Sequence, residues 1–140
     1  MRVAIDARKL HDFGIGTYIR NLLRHLARID RATEYVLLTA ARDLDAAADF
    51  GANFRTVLEP SPNYSLKEQI HVPWVLHRER PDLFHAPHYV LPPAVRCPSV
   101  VTIHDCIHLR FPEYLPNKVA YARSEEHTSE LQSRFGISYA

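Results

Sequence analysis

The chain has 140 residues, enough for one domain with a real core. Hydrophobic residues make up 46% and charged residues 24%, which excludes a disordered chain. The net charge of +1 gives no overall field for nucleic acid or an anionic membrane.

Val3-Ala4-Ile5 is a short apolar run at the start and suits a buried parallel strand. Met1-Arg2-Val3-Ala4-Ile5-Asp6 lacks the apolar region of a signal peptide. A loop follows, Asp6 to Gly16, holding two of the 4 glycines. Ile19, Leu22, Leu23 and Leu26 then stand at i, i+3, i+4 and i+7, the stripe of an amphipathic helix. Burying each is worth roughly 1.5–3 kcal/mol, so this helix is expected to lie on a sheet.

Tyr35-Val36-Leu37-Leu38 reads as a second strand and residues 40–50 as a short alanine-rich helix. Phe54-Arg55-Thr56-Val57-Leu58 reads as a third strand. Residues 65–80 read as a helix capped by Ser65, with Leu66, Ile70 and Trp74 on one side. Pro73 falls inside it, which predicts a kink or a late start. Residues 82–85 and 99–103 read as the fourth and fifth strands. This alternation implies an α/β fold, a Rossmann-like parallel sheet with helices on both faces and right-handed crossovers. Val3-Ala4-Ile5 is expected at its centre, between the strands at 35–38 and 82–85.

In such a sheet ligands bind beyond the C-terminal strand ends. Three features fall there: Gly14-Ile15-Gly16 after strand one, His85 and His88 after strand four, and His104-Asp105 after strand five. They are expected to meet on one edge. Gly14 and Gly16 allow positive φ and close approach, and with Thr17 they open a helix N-terminus, which favours an anion such as a diphosphate. A plain tight turn explains the same spacing, because the third glycine position of a dinucleotide fingerprint holds Ile19. His104-Asp105 suits a polar grip on a ligand, or equally a structural histidine beside a loop-capping acid. His85, His88, His104 and His108 have spacings that raise a metal site, but no cysteine or carboxylate cluster supports one, so no metal is assigned. Cys97 and Cys106 form neither a metal motif nor a disulfide framework and fit a reduced, cytoplasmic setting.

Four segments, taken together, resemble the family 4 (group 1) glycosyltransferases. They are Met1-Arg2-Val3-Ala4-Ile5-Asp6-Ala7-Arg8, Gly14-Ile15-Gly16-Thr17-Tyr18-Ile19-Arg20-Asn21-Leu22-Leu23, Pro81-Asp82-Leu83-Phe84-His85-Ala86-Pro87-His88 and Val101-Thr102-Ile103-His104-Asp105. The resemblance covers residues 1 to about 122 and implies the N-terminal, acceptor-side half of a GT-B fold. It implies sugar transfer from a nucleotide-sugar donor to a sugar or lipid-linked acceptor, with retention and with no cofactor or required metal. By position it puts Gly14, Gly16 and Thr17 at the donor diphosphate and His104 at the donor sugar. His85, His88, Tyr89 and Asp105 line the acceptor side. It also implies a hexosyltransferase, with mannosyl transfer in polysaccharide or glycolipid synthesis as one reading, a cytoplasmic site and peripheral association with the inner membrane face. The family's nucleotide-gripping basic residues and paired glutamates belong to a C-terminal domain with no counterpart here, so the chain alone is expected to be inactive.

From Arg123 the apolar period stops. Arg123-Ser124-Glu125-Glu126-His127-Thr128-Ser129-Glu130-Leu131-Gln132-Ser133 reads as the in-frame translation of a common sequencing adapter. Ile137-Ser138-Tyr139-Ala140 continues it after a variable index spelling Arg134-Phe135-Gly136. Residues 123–140 are therefore expected to be a non-native tail making few contacts, cutting a helix that starts near Asn117. The competing reading is a stand-alone nucleotide-binding Rossmann module. Against it, Thr39-Ala40-Ala41-Arg42 puts no acid at the end of strand two to hold a ribose.

Overall fold

The structure is a computed structural model that describes residues 1–104 apart from Tyr64 and Tyr89. It divides into two units, Met1–Thr102 and Ile103–Ala140, and the first carries every element that follows. Tyr89, Asp105, Cys106, His108, the helix expected near Asn117 and the tail at 123–140 lie outside the described residues.

β1 (Arg2–Asp6) is followed by α1 (Ile15–Ile29), β2 (Glu34–Thr39) and β3 (Phe54–Leu58). Then come α2 (Leu66–Glu79), β4 (Leu83–Ala86) and β5 (Ser99–Val101). The strands form one five-stranded sheet in the order β3-β2-β1-β4-β5, and every pairing is parallel. β1 is thus central between β2 and β4, as its apolar run predicts. The order reverses direction beside β1, so the chain's switch point lies at the C-terminal end of that strand.

Alternation along β1 divides the two faces. Val3 and Ile5 join Ile19, Leu23 and Ala27 of α1 in one core cluster with Tyr35, Leu37 and Phe54. The other parity serves α2: Arg2 donates through Nη1 to the Glu79 carbonyl at 2.6 Å, and Asp6 is linked through Arg8 to Glu68. Helices therefore cover both faces. α1 buries the expected stripe, although Leu22 and Leu26 are only half-buried at its flanks. Among the described residues no helix is long and apolar enough to cross a membrane.

Three local expectations need correction. Residues 40–50 form two 3-10 turns, Ala41–Asp43 and Ala46–Asp49, in place of an α-helix. Asp43 is buried and engaged by His11, and Ala46 and Phe50 pack on the core cluster, so the segment is held by these separate contacts and not by one helical stripe. α2 does not start late: it runs from Leu66 through Pro73 to Glu79, with Ser65 accepting the Glu68 N–H as cap. The ring of Pro73 costs only the hydrogen bond to the Gln69 carbonyl. The row Leu66, Ile70 and Trp74 points outward, being 73%, 74% and 53% exposed. The face packed on the sheet is instead Glu68, Val72, Val75, Leu76 and Glu79. Finally, β5 ends at Val101, short of the 99–103 expected, and Val100 on this sheet edge is exposed.

Candidate functional site

The C-terminal edge of the sheet is built around the end of β1. Asp6, Arg8 and Lys9 are all buried there, which is costly unless each charge is matched. Arg8 forks onto Asp6, Nε to Oδ1 at 2.9 Å and Nη2 to Oδ2 at 2.6 Å. The same Nη2 reaches Glu68 Oε1 of α2 at 2.5 Å, and Nη1 donates to the Ser61 carbonyl at 3.3 Å. Lys9 Nζ pairs with Asp12 Oδ2 at 3.0 Å. Burial works against the Asp6 charge, but the hydrogen bonds and charge of Arg8 outweigh it and hold the carboxyl below its usual range. Burial likewise opposes the Arg8 charge, and Asp6 with Glu68 more than restores it.

His88 is fully buried against this cluster, its Nε2 3.8 Å from Asp6 Oδ2. Burial pushes the imidazole down more strongly than Asp6 pulls it up, so the ring is neutral at pH 7. The ligand atoms of Asp6, Glu68 and His88 lie within 4.8 Å of one another, close enough to share a cation. Their chemistry does not favour one, because Arg8 already bridges both carboxylates and a dication would compete with it for the same oxygens. His88 thus sits beneath the edge, in contact with Asp6, and not on the surface that a ligand would touch.

The glycine loop rests on the segment that Arg8 anchors. Gly14 has φ 65° and ψ −70°, and the Ile15 N–H donates to the Phe13 carbonyl at 2.7 Å. That is a γ-turn of the strained hand, which needs glycine at its centre. Gly16 is required for a different reason: a Cβ there would meet the Leu10 carbonyl oxygen at 2.5 Å and the Lys9 oxygen at 2.8 Å. The Gly16 N–H donates to the Asp12 carbonyl at 2.8 Å. Two of the first amides of α1 are therefore used by the loop itself. What the loop adds is the exposed Thr17, whose hydroxyl accepts from Arg20 Nη2 at 3.1 Å, while Arg20 Nη1 donates to the Leu10 carbonyl. A guanidinium thus stands beside the helix start.

His85, near the end of β4, is half-buried and bonds through Nε2 to Thr102 Oγ1 at 2.8 Å. Tyr18 of α1 meets the same hydroxyl at 3.3 Å and stands edge-on to the His85 ring, centroids 6.5 Å apart. Burial pushes His85 down, which keeps it neutral at pH 7. The site residues that fall in the first unit, Gly14, Gly16, Thr17, His85 and His88, all follow or end strands at this one edge. His104 belongs to the second unit, of which only Ile103 and His104 are described.

The family pattern described as Glycosyltransferase Family 4 matches residues 14–134, most of the 140-residue chain. The chain belongs to glycosyltransferase family 4. No curated protein and no solved structure matches it. The family match opens on Gly14, the γ-turn glycine, while Asp6 and Arg8 lie ahead of it. As a member of this family the protein is a glycosyltransferase, acting on sugar donor and acceptor substrates.

Four residues of this transferase edge, Arg8, Glu68, Arg20 and Thr102, have no assigned role in the sequence. Arg8 and Glu68 are 60 positions apart, and no local pattern joins them. The available signal was Asp6-Ala7-Arg8 at a buried strand end, where a basic residue must find an acid. The end of β2 carries a similar lesson. Asp43 lies just past Thr39-Ala40-Ala41-Arg42, but His11 Nε2 holds it at 2.7 Å and Arg42 at 3.4 Å.

Proposed function

We propose that the chain is the acceptor-side domain, residues 1–122, of a retaining hexosyltransferase that uses a nucleotide-sugar donor. In the reaction an acceptor hydroxyl gives its proton to the departing diphosphate oxygen and bonds to the anomeric carbon. The anomeric carbon–oxygen bond to the diphosphate breaks, and the nucleoside diphosphate leaves with the electron pair. The observation that carries the reading is the glycine loop at the C-terminal edge of a parallel sheet, opening the stretch that matches a glycosyltransferase family.

Gly14, Gly16 and Thr17 flank the donor diphosphate in this proposal, with the Thr17 hydroxyl and the Arg20 guanidinium as the groups the loop offers it. His104 contacts the donor sugar. His85, Tyr89 and Asp105 line the acceptor side, and His88 acts from beneath by fixing Asp6 and the loop after β1. No metal or cofactor takes part. Mannosyl transfer to a polysaccharide or glycolipid acceptor, at the cytoplasmic face of a membrane, is the fuller form of the same reading.

Residues 123–140 are proposed to be non-native, although the family match extends to 134 and overlaps their first part. The test is to clone the parent gene independently, extend its reading frame past residue 122 and assay it against a panel of nucleotide sugars. Transfer with the donor's anomeric configuration kept in the product, read by proton NMR, is the expected result. Inverted product would overturn the retaining mechanism. Tight nucleotide binding with no transfer to any acceptor would favour the stand-alone binding module.

A further inference from the structure

Tyr18, Thr102 and His85 form a hydrogen-bonded row on the α1 side of the sheet. His85 stands opposite Ile5 of β1, so its side chain leaves the sheet on the face that α1 covers. Thr102 is fixed beside β4 by its backbone N–H, which donates to the Ala86 carbonyl at 2.9 Å. Its hydroxyl lies between His85 Nε2 at 2.8 Å and the Tyr18 hydroxyl at 3.3 Å. Tyr18 belongs to the first turn of α1, four residues after Gly14, and its ring stands edge-on to the imidazole at 89°. All three side chains are half-buried. Among the described residues nothing bonds to His85 Nδ1, and that atom is not a buried one, so it reaches solvent.

The row has a preferred direction. A hydroxyl has one proton to give, so Thr102 donates to one neighbour and accepts from the other. Of the two hydroxyls the phenol is the more acidic and the better donor, and the imidazole nitrogen is the best acceptor of the three groups. The favoured order is therefore Tyr18 O–H to Thr102 Oγ1, then Thr102 O–H to His85 Nε2, each bond strengthening the next. Burial keeps the ring neutral at pH 7, so it carries a single proton. With the Nε2 lone pair occupied by Thr102, that proton sits on Nδ1, the reverse of the preference of a free histidine in water. We propose that Tyr18 and Thr102 are positioning residues that lock His85 as an Nδ1–H donor, which binds an acceptor oxygen next to the attacking hydroxyl. Because its basic lone pair is taken by Thr102, His85 holds the acceptor and removes no proton from it. An acceptor with a hydroxyl or ether oxygen at that point is selected over one that presents only N–H donors there. The proposal rests on the acceptor-side reading of His85 and adds the two residues that decide what its ring offers.

The tautomer is read without any sugar. The full 140-residue chain, labelled with nitrogen-15 histidine, is recorded at pH 7 in a long-range proton–nitrogen correlation. The His85 signals are assigned by their loss in His85→Gln. Expected are Nε2 at the downfield position of an unprotonated ring nitrogen and Nδ1 at the upfield position of a protonated one. Thr102→Val should return His85 to mainly the Nε2–H form and Tyr18→Phe to a mixture, whereas Thr102→Ser should keep the Nδ1–H form. Circular dichroism checks that the variants keep their fold, and the wild-type spectrum decides without them. Nε2–H in the wild type would overturn the proposal, as would an Nδ1–H form retained in folded Thr102→Val. In the extended parent, Thr102→Val should raise the acceptor KM about tenfold, the loss of one hydrogen bond, with the donor KM unchanged and Thr102→Ser close to wild type. An unchanged acceptor KM beside a reversed tautomer would also overturn it. A parent that transfers no sugar while His85 keeps the Nδ1–H form would refute the acceptor reading beneath the proposal, so the two failures are told apart.

Discussion

Replacing Arg8 by Met tests whether the buried ion cluster fixes the edge of the sheet. Its guanidinium is matched to two carboxylates, and the side chains of all three residues are at most 3% exposed. Met fills much of the volume but leaves Asp6 and Glu68 without their cation. Breaking a buried pair in this way costs about 3–5 kcal/mol, against a total stability of about 5–15 kcal/mol for a domain. At roughly 4–8 °C per kcal/mol, the melt should fall by more than about 12 °C at pH 7. The sign of the pH dependence should also change. In the wild type the Asp6 carboxyl lies below its ordinary 3.8, so its contribution is present above that value and lost as pH falls through the depressed one. In the variant the guanidinium is gone and only the backbone N–H of residue 8 and His88 remain against burial, the largest influence, so the Asp6 value should rise and the deficit should shrink as pH falls from 7 toward 5. Urea melts of both proteins across that range read the difference. A loss below about 1 kcal/mol at pH 7, or a deficit constant with pH, would refute the idea that Arg8 neutralises this cluster.

Gly16→Ala should cost about 1–3 kcal/mol, because its Cβ meets backbone at Leu10 and Lys9, and thermal melts against wild type check this. Gly14→Ala has open space but a positive φ, so its cost of about 1–2 kcal/mol is one of backbone conformation, and D-Ala introduced there by semisynthesis should restore the melt. In the restored parent, His104→Ala should lower kcat by ~10²–10³ while moving stability by no more than about 0.5 kcal/mol. Deleting residues 123–140 should leave the melt within error, and independently cloned genomic DNA should not encode Arg123–Ala140. Recovery of that segment from such DNA would show it to be native.

The sheet was legible because its strands are short apolar runs bounded by loops, and Ala4, Ile5, Val36, Leu37 and Leu38 are accordingly fully buried. α1 was legible because its apolar period has a single solution. α2 was harder. Its row Leu66, Ile70 and Trp74 looks like a core stripe by periodicity, yet the sheet takes Val72, Val75 and Leu76 together with the ion-paired Glu68 and Glu79. Buried acids with distant basic partners reverse the usual reading of which face is inside, and Arg8 and Arg55 supply those partners from β1's loop and β3. The glycine loop was found for one correct reason and one incomplete one. Gly14 does carry a positive φ, but Gly16 is demanded by its contact with Leu10, which no spacing reveals. His88 was noticed as a histidine at a strand end, whereas its burial against Asp6 depends on how β1 and β4 lie side by side.

Turnover shows whether this chain is one wall of a sugar-transferring cleft. The extended parent and the 140-residue chain are to be incubated side by side with nucleotide sugars and acceptors, and acceptor-dependent release of nucleoside diphosphate is measured. Turnover is expected from the parent and none from the 140-residue chain, since positioning between two walls supplies much of the rate in a two-substrate reaction. Transfer by the 140-residue chain alone, or a parent that binds nucleotides without ever transferring sugar, would contradict it.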